Sequence, residues 1–153
     1  MANEHKFLKK DNEKGWGVRN TLSVIAAVIG LLSFLFLMTK GVNYTNPNFT
    51  PYYSDKELHM GALIFGNGKF KGLNPGLFSA FLLMCLGILG AILMNWSYIP
   101  GYLSFLFFIV SGILWFCAVP LYGITGSSLA VGGWCLGIFN IIDAILVFIG
   151  VAY

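Results

Sequence analysis

The sequence predicts an all-α integral membrane protein, a four-helix transmembrane bundle with a long first outer loop. Three observations carry this expectation. Of 153 residues, 58% are apolar and only 10% are charged, against about 25% charged in globular domains. The apolar residues gather into four stretches of about 20, the number needed to cross a hydrocarbon core of about 30 Å at 1.5 Å per helical residue. These stretches are solid rather than alternating, which separates them from the strands of a membrane β-barrel.

Residues 1–19 read as a basic tail carrying Lys6, Lys9, Lys10, Lys14 and Arg19 beside Glu4, Asp11 and Glu13. Cations dense beside a first span favour the cytoplasm, so the tail is expected inside the cell membrane, as a solvated topology signal rather than a lipid-binding arm. The first span, 20–39, lacks any charge. It is too long for a signal-peptide core, and MTKG offers no small-x-small cleavage site, so it reads as a retained anchor. An even number of spans then puts both termini inside.

Residues 40–76 form the expected extracytoplasmic loop, far longer than the usual connection of about 4–6 residues and so the natural surface for a partner. Its cations Lys40, Lys56, Lys69 and Lys71 oppose the orientation signal of the tail. Ser54 and Glu57 fit a capping box, predicting a short helix to about Leu63. The alternative is a hairpin in which ALIF and KFKGL flank Asn67-Gly68, a pair that accepts positive φ. Helix followed by turn is preferred.

The stretch GALIFGNGKFKG in this loop has the glycine content of a phosphate cradle. Its spacing matches neither G-x-G-x-x-G nor G-x-x-x-x-G-K-[ST], and it leads into a membrane span rather than joining a strand to a helix. No nucleotide or nucleic acid partner is expected. Phe65, Asn67, Lys69, Phe70 and Lys71 are instead the candidate outer-loop contact for another protein or for headgroups.

The second span covers 77–95 and the third 101–120, joined by a cytoplasmic turn at 96–100. The third is expected to stop at Pro120, which lacks the N–H that a continuing helix requires. A short outer turn, 121–126, precedes the fourth span at 127–151. Trp16, Trp96, Tyr98, Tyr102, Tyr122 and Tyr153 fall near the predicted helix ends, where amphipathic rings favour the headgroup level. The sequons at Asn43 and Asn48 carry little weight, since such tripeptides arise by chance.

Asp143 is the one side chain inside a predicted span, cysteine and tyrosine aside, that can ionise. A carboxylate at the centre of a membrane helix costs about 2.5–3.5 kcal/mol on insertion scales, so it marks a candidate site. Gly133, Gly137, Asn140 and Ala144 share one helical face, with Asp143 at its edge. Glycines four apart let a second backbone approach, and Asn140 offers a hydrogen bond across the contact. The expected role is a packing seam in which Asp143 pairs with Asn95, Asn20 or Arg19. The sharper reading is an ion- or proton-binding site. Ala26, Gly30, Gly87 and Gly90 mark further small-residue contacts.

Cys85, Cys117 and Cys135 lie one to a span without any C-x-x-C pair, and His5 and His59 lie outside the spans. No metal site, cofactor or catalytic group is expected, and Cys117 and Cys135 are read as inert thiols before a disulfide. The layout is similar to that of claudins, but a claudin's first loop carries W-x-x-G-L-W and two cysteines. Residues 40–76 hold neither Trp nor Cys. The leading expectation is therefore a non-enzymatic accessory or structural subunit of a membrane complex, associating with other membrane proteins or itself. The alternative is a small oligomeric channel or transporter using Asp143 and Asn140. A lipid- or quinone-directed enzyme comes third, for want of catalytic groups.

Overall fold

A computed structural model describes residues 17–44, 59–66, 73–122 and 127–152, with only the backbone of Tyr44 and Tyr122. Its elements in order are α1 (Val18–Ser33), continued by a 3-10 turn (Phe34–Met38), β1 (Val42–Tyr44), α2 (Met60–Phe65), α3 (Pro75–Leu93), α4 (Tyr98–Phe116), α5 (Ala118–Tyr122), β2 (Ser127–Leu129) and α6 (Val131–Ala152). Four of the helical segments are long and apolar enough to cross a membrane: Val18–Met38, α3, α4 and α6. The all-α four-helix bundle is thus the architecture.

Each long helix packs on two others, giving the cyclic order α1, α3, α4, α6. Small residues set the close approaches. A Cβ built on Gly30 of α1 would meet Ile88 Cγ1 of α3 at 2.6 Å, and one on Gly137 of α6 would meet the Phe116 ring of α4 at 2.6 Å. A Cβ on Gly112 of α4 would meet Ile141 Cδ1 at 2.9 Å and the Gly137 carbonyl at 3.3 Å. The outward faces carry Ile25, Val28 and Leu31 on α1, Leu82, Leu86 and Leu89 on α3, Leu103, Leu106 and Val110 on α4, and Ile138, Ile142, Ile145 and Ile149 on α6. Rows of branched aliphatics three or four apart on every outer face suit hydrocarbon solvent and leave the small and polar residues for the interior.

Several boundaries differ from the sequence reading, each for a local reason. The second span starts at Pro75, not Leu77, because Asn74 caps it: its Oδ1 accepts from Leu77 N at 3.1 Å, and proline at the first helical position gives up no hydrogen bond. The third starts at Tyr98, capped by Ser97, and holds Pro100 in its first turn, where N–H groups have no partner in any case. Pro120 is likewise tolerated, in the first turn of α5. The break falls at Cys117, where ψ opens to 11°.

The fourth span starts at Val131, not Ser127. Ser127–Leu129 is a strand instead, pairing antiparallel with β1 in the register Val42 to Leu129, Asn43 to Ser128 and Tyr44 to Ser127. In the first loop, ALIF is helical within α2, which replaces the hairpin reading of that segment. The N-cap of α2 is His59, with no side-chain cap, while the proposed box at Ser54 and Glu57 lies outside the described residues. Gly66 ends α2 at φ 82° and ψ 163°, a conformation that disfavours any residue with a Cβ, so the glycine requirement of this turn is real.

Candidate functional site

Apart from Ser33, which bonds Ile29 O of its own helix, the interior polar groups to be considered fall in three places: stitches along α3, a cluster at one end, and an isolated pair at the centre. The stitches are serine hydroxyls. Ser104 donates to Gly87 O at 2.6 Å, Ser111 to Ala80 O at 2.8 Å and Ser23 to Ala91 O at 2.6 Å, so α1 and α4 are both hydrogen-bonded to backbone carbonyls of α3. All three serines are buried. A serine in a span is small enough for close approach and carries its own donor, which satisfies itself without a charged partner. Sequence reading passed over them, although their place among small residues was visible.

The end cluster joins the starts of α1 and α4 to the turn after α3. Arg19 Nη2 donates to Asn95 O at 3.2 Å, and its guanidinium carbon lies 4.8 Å from the centre of the Tyr98 ring. Asn95 Nδ2 donates to Ser23 Oγ at 3.0 Å. Trp96, Tyr98 and Tyr102 are exposed around this end, as the headgroup-level reading of those aromatics requires. The last turn of α6 reaches the same end, where a Cβ on Gly150 would meet Met94 Cε at 2.6 Å and Leu22 Cβ at 3.4 Å.

The opposite end is closed by a cap. The two-stranded ribbon of β1 and β2 joins the first loop to the chain entering α6, and Ala130 N and Gly132 N donate to Gly41 O and Lys40 O, each at 2.9 Å. Met60 N donates to Thr39 O at 3.0 Å, and Met60, Leu63 and Ile64 of α2 are buried against the bundle. Phe65, half exposed, stands edge-on to Phe78 and Phe81 of α3, with ring centres 6.0 and 5.5 Å away. Of the predicted contact residues only Phe65 can be placed. Asn67, Lys69, Phe70 and Lys71 lie outside the described residues.

The central pair is Asn140 and Asp143 on α6, both with no exposed surface. Asn140 Nδ2 donates to Leu136 O one turn back at 2.8 Å, which leaves Oδ1 without a partner, and neither oxygen of Asp143 has one. The carboxylate points at α1, since a Cβ on Gly30 would stand 3.4 Å from Asp143 Oδ2. The pairing expected from sequence is not made. Asn95 bonds Ser23, and Arg19 lies about 16 Å along α1 from the level of Gly30, beyond its reach.

The glycine face of α6 meets this chain rather than a neighbour. Gly133 sits under the Leu129 side chain and the Gly41 carbonyl, and Gly137 under Phe116. Cys85, Cys117 and Cys135 are free thiols, each half-buried.

Four apolar helices of membrane-spanning length with aliphatic outer faces make this a multi-pass membrane protein in contact with a lipid bilayer. Set against protein-family models, characterised proteins and solved structures, the chain matches none.

Proposed function

We propose that this protein is a non-enzymatic accessory or structural subunit of a membrane complex, and that its cap is the surface its partners contact. The observation that carries this reading is the construction of the cap. A ribbon and a short helix fix the described parts of a long first loop, 40–44 and 59–66, to one end of the bundle. Loops held by a rigid scaffold are where binding residues concentrate.

The glycine faces contribute to this role only by making the bundle rigid, because their close contacts are within the chain. An oligomeric channel is less favoured. Asp143 faces α1 and both it and Asn140 are buried in the bundle interior, whereas a path shared between copies needs polar groups on an outer face. The positive tail and Arg19 support a topology with both termini in the cytoplasm and the cap outside the cell membrane.

Extraction in mild detergent followed by native electrophoresis tests the reading. The full chain should migrate within a larger complex of fixed composition, and Val42→Asp, which puts a charge on a fully buried strand residue of the cap, should release it while the four spans stay folded. A chain that migrates as a monomer from native membranes contradicts the proposal.

A further inference from the structure

The geometry points to a binding site for a single monovalent cation at the centre of the bundle, formed by the Asp143 carboxylate and the Asn140 carboxamide oxygen. This goes beyond the accessory role and does not depend on it. Three side-chain oxygens, Asp143 Oδ1, Asp143 Oδ2 and Asn140 Oδ1, are buried with no hydrogen-bond donor, although buried oxygens in folded proteins are almost always satisfied. Residues i and i+3 share a helical face, so the two side chains leave α6 on the same side, one turn apart. Asn140 also has its amide nitrogen tied to Leu136 O, which turns its oxygen free for another ligand.

Charge requires an occupant of the same kind. An isolated carboxylate in hydrocarbon is a charge that must be compensated, and the groups around it do not compensate it. From α1 it faces Gly30, and from α3 Ile88 packs on that same glycine. On the described parts of the four spans the other groups that titrate or carry charge are Arg19, Tyr98 and Tyr102 at one end, and Cys85 and Cys135 along α3 and α6. Lys40 and His59 sit at the cap, beyond the 3-10 turn that continues α1. Trp115 Nε1, also buried and unpartnered, is a donor and cannot bind a cation.

One negative charge is neutralised by one positive charge. A divalent ion would leave an excess positive charge buried in the core. Among the described residues no group of three His, Cys, Asp or Glu gathers to hold a metal. The occupant is therefore a proton, shared between the carboxylate and Oδ1 of Asn140, or an alkali ion held by the three oxygens. The cation is part of the folded bundle, since it is held by side chains that face inward.

Thermal unfolding of the full chain in detergent tests this, with sodium chloride titrated against choline chloride at constant ionic strength, and pH lowered from about 8 to about 5. A ligand bound by the folded state alone multiplies the folded-to-unfolded ratio by about ten for each tenfold rise in its free concentration above Kd. Sodium as occupant makes the midpoint rise with sodium, and a proton makes it rise as pH falls. Asp143→Asn should abolish that response while Asn140→Ala shifts it to several-fold higher cation concentration. The inference is overturned if the wild-type chain responds to sodium and pH no more than Asp143→Asn does. Should Asp143→Asn fail to fold, coincident response curves for the wild-type chain and Asn140→Ala overturn it.

Discussion

Gly90 is where the packing of α3 against α4 leaves least room, and Gly90→Ala tests that packing directly. A Cβ there would stand 2.8 Å from the Pro100 carbonyl oxygen and 2.8 Å from Ser104 Cβ, against about 3.4 Å for ordinary contact. One neighbour is backbone and the other a side chain pinned by its hydrogen bond to Gly87 O, so neither rotates away. The two helices must separate locally by about 0.6 Å. Overpacking of this kind costs about 1–3 kcal/mol, and stretching the Ser104 bond forfeits part of the roughly 0.6 kcal/mol typical of such bonds in membranes. The exchange of glycine for alanine in a helix returns about 1 kcal/mol. The net expectation is a loss of about 1–2 kcal/mol.

Gly76→Ala is the control, because the Cβ would there meet Leu121 Cδ2 at 2.8 Å, the far end of a half-buried side chain that can turn aside. Its stability should equal that of the parent or exceed it by up to about 1 kcal/mol, the helical gain of alanine over glycine. Unfolding in mixed micelles titrated with sodium dodecyl sulfate, followed by tryptophan emission, gives both values. Gly90→Ala as stable as Gly76→Ala would refute the close approach of α3 and α4.

Other substitutions separate the remaining contacts. Ser23→Ala should cost about 1 kcal/mol more than Ser104→Ala in the same titration, because Ser23 both donates to Ala91 O and accepts from Asn95 Nδ2, and its loss leaves a second group unpaired. Phe65→Ala removes the two edge-on ring contacts that hold α2 on α3, so amide exchange at 62–66 should accelerate severalfold while α3 stays protected.

The four spans were legible because lipid imposes long uninterrupted apolar runs, and the inward face of α6 because Gly133, Gly137 and Asn140 recur at helical spacing. The errors lie where a local signal was weighed wrongly or a distant partner decided. Pro120 was read as a stop and Pro100 as part of the turn before the third span, but each sits in a first helical turn where its missing N–H loses nothing. Asn74-Pro75 was a start signal that the apolar run concealed. Ser127–Leu129 joins smoothly to the following apolar segment, and its strand partner at Val42–Tyr44 is far away in sequence, so no local pattern announces the ribbon. The expected partners of Asp143 failed on depth: Arg19, Asn20 and Asn95 are polar enough, but they belong to the end of the bundle.

The measurement that tests the central claim most directly is a spin-label scan of α6 in lipid bilayers, reading collision with dissolved oxygen. Labels at Ile138, Ile142, Ile145 and Ile149, which are exposed on the outer face, should collide freely, and labels at Leu136, Ala144 and Val147, which share the buried face with Asn140 and Asp143, should be shielded. That pattern, repeating about every 3.6 residues, is the predicted result. Uniform exposure along the helix, or a maximum on the face that holds Asn140 and Asp143, would contradict the account.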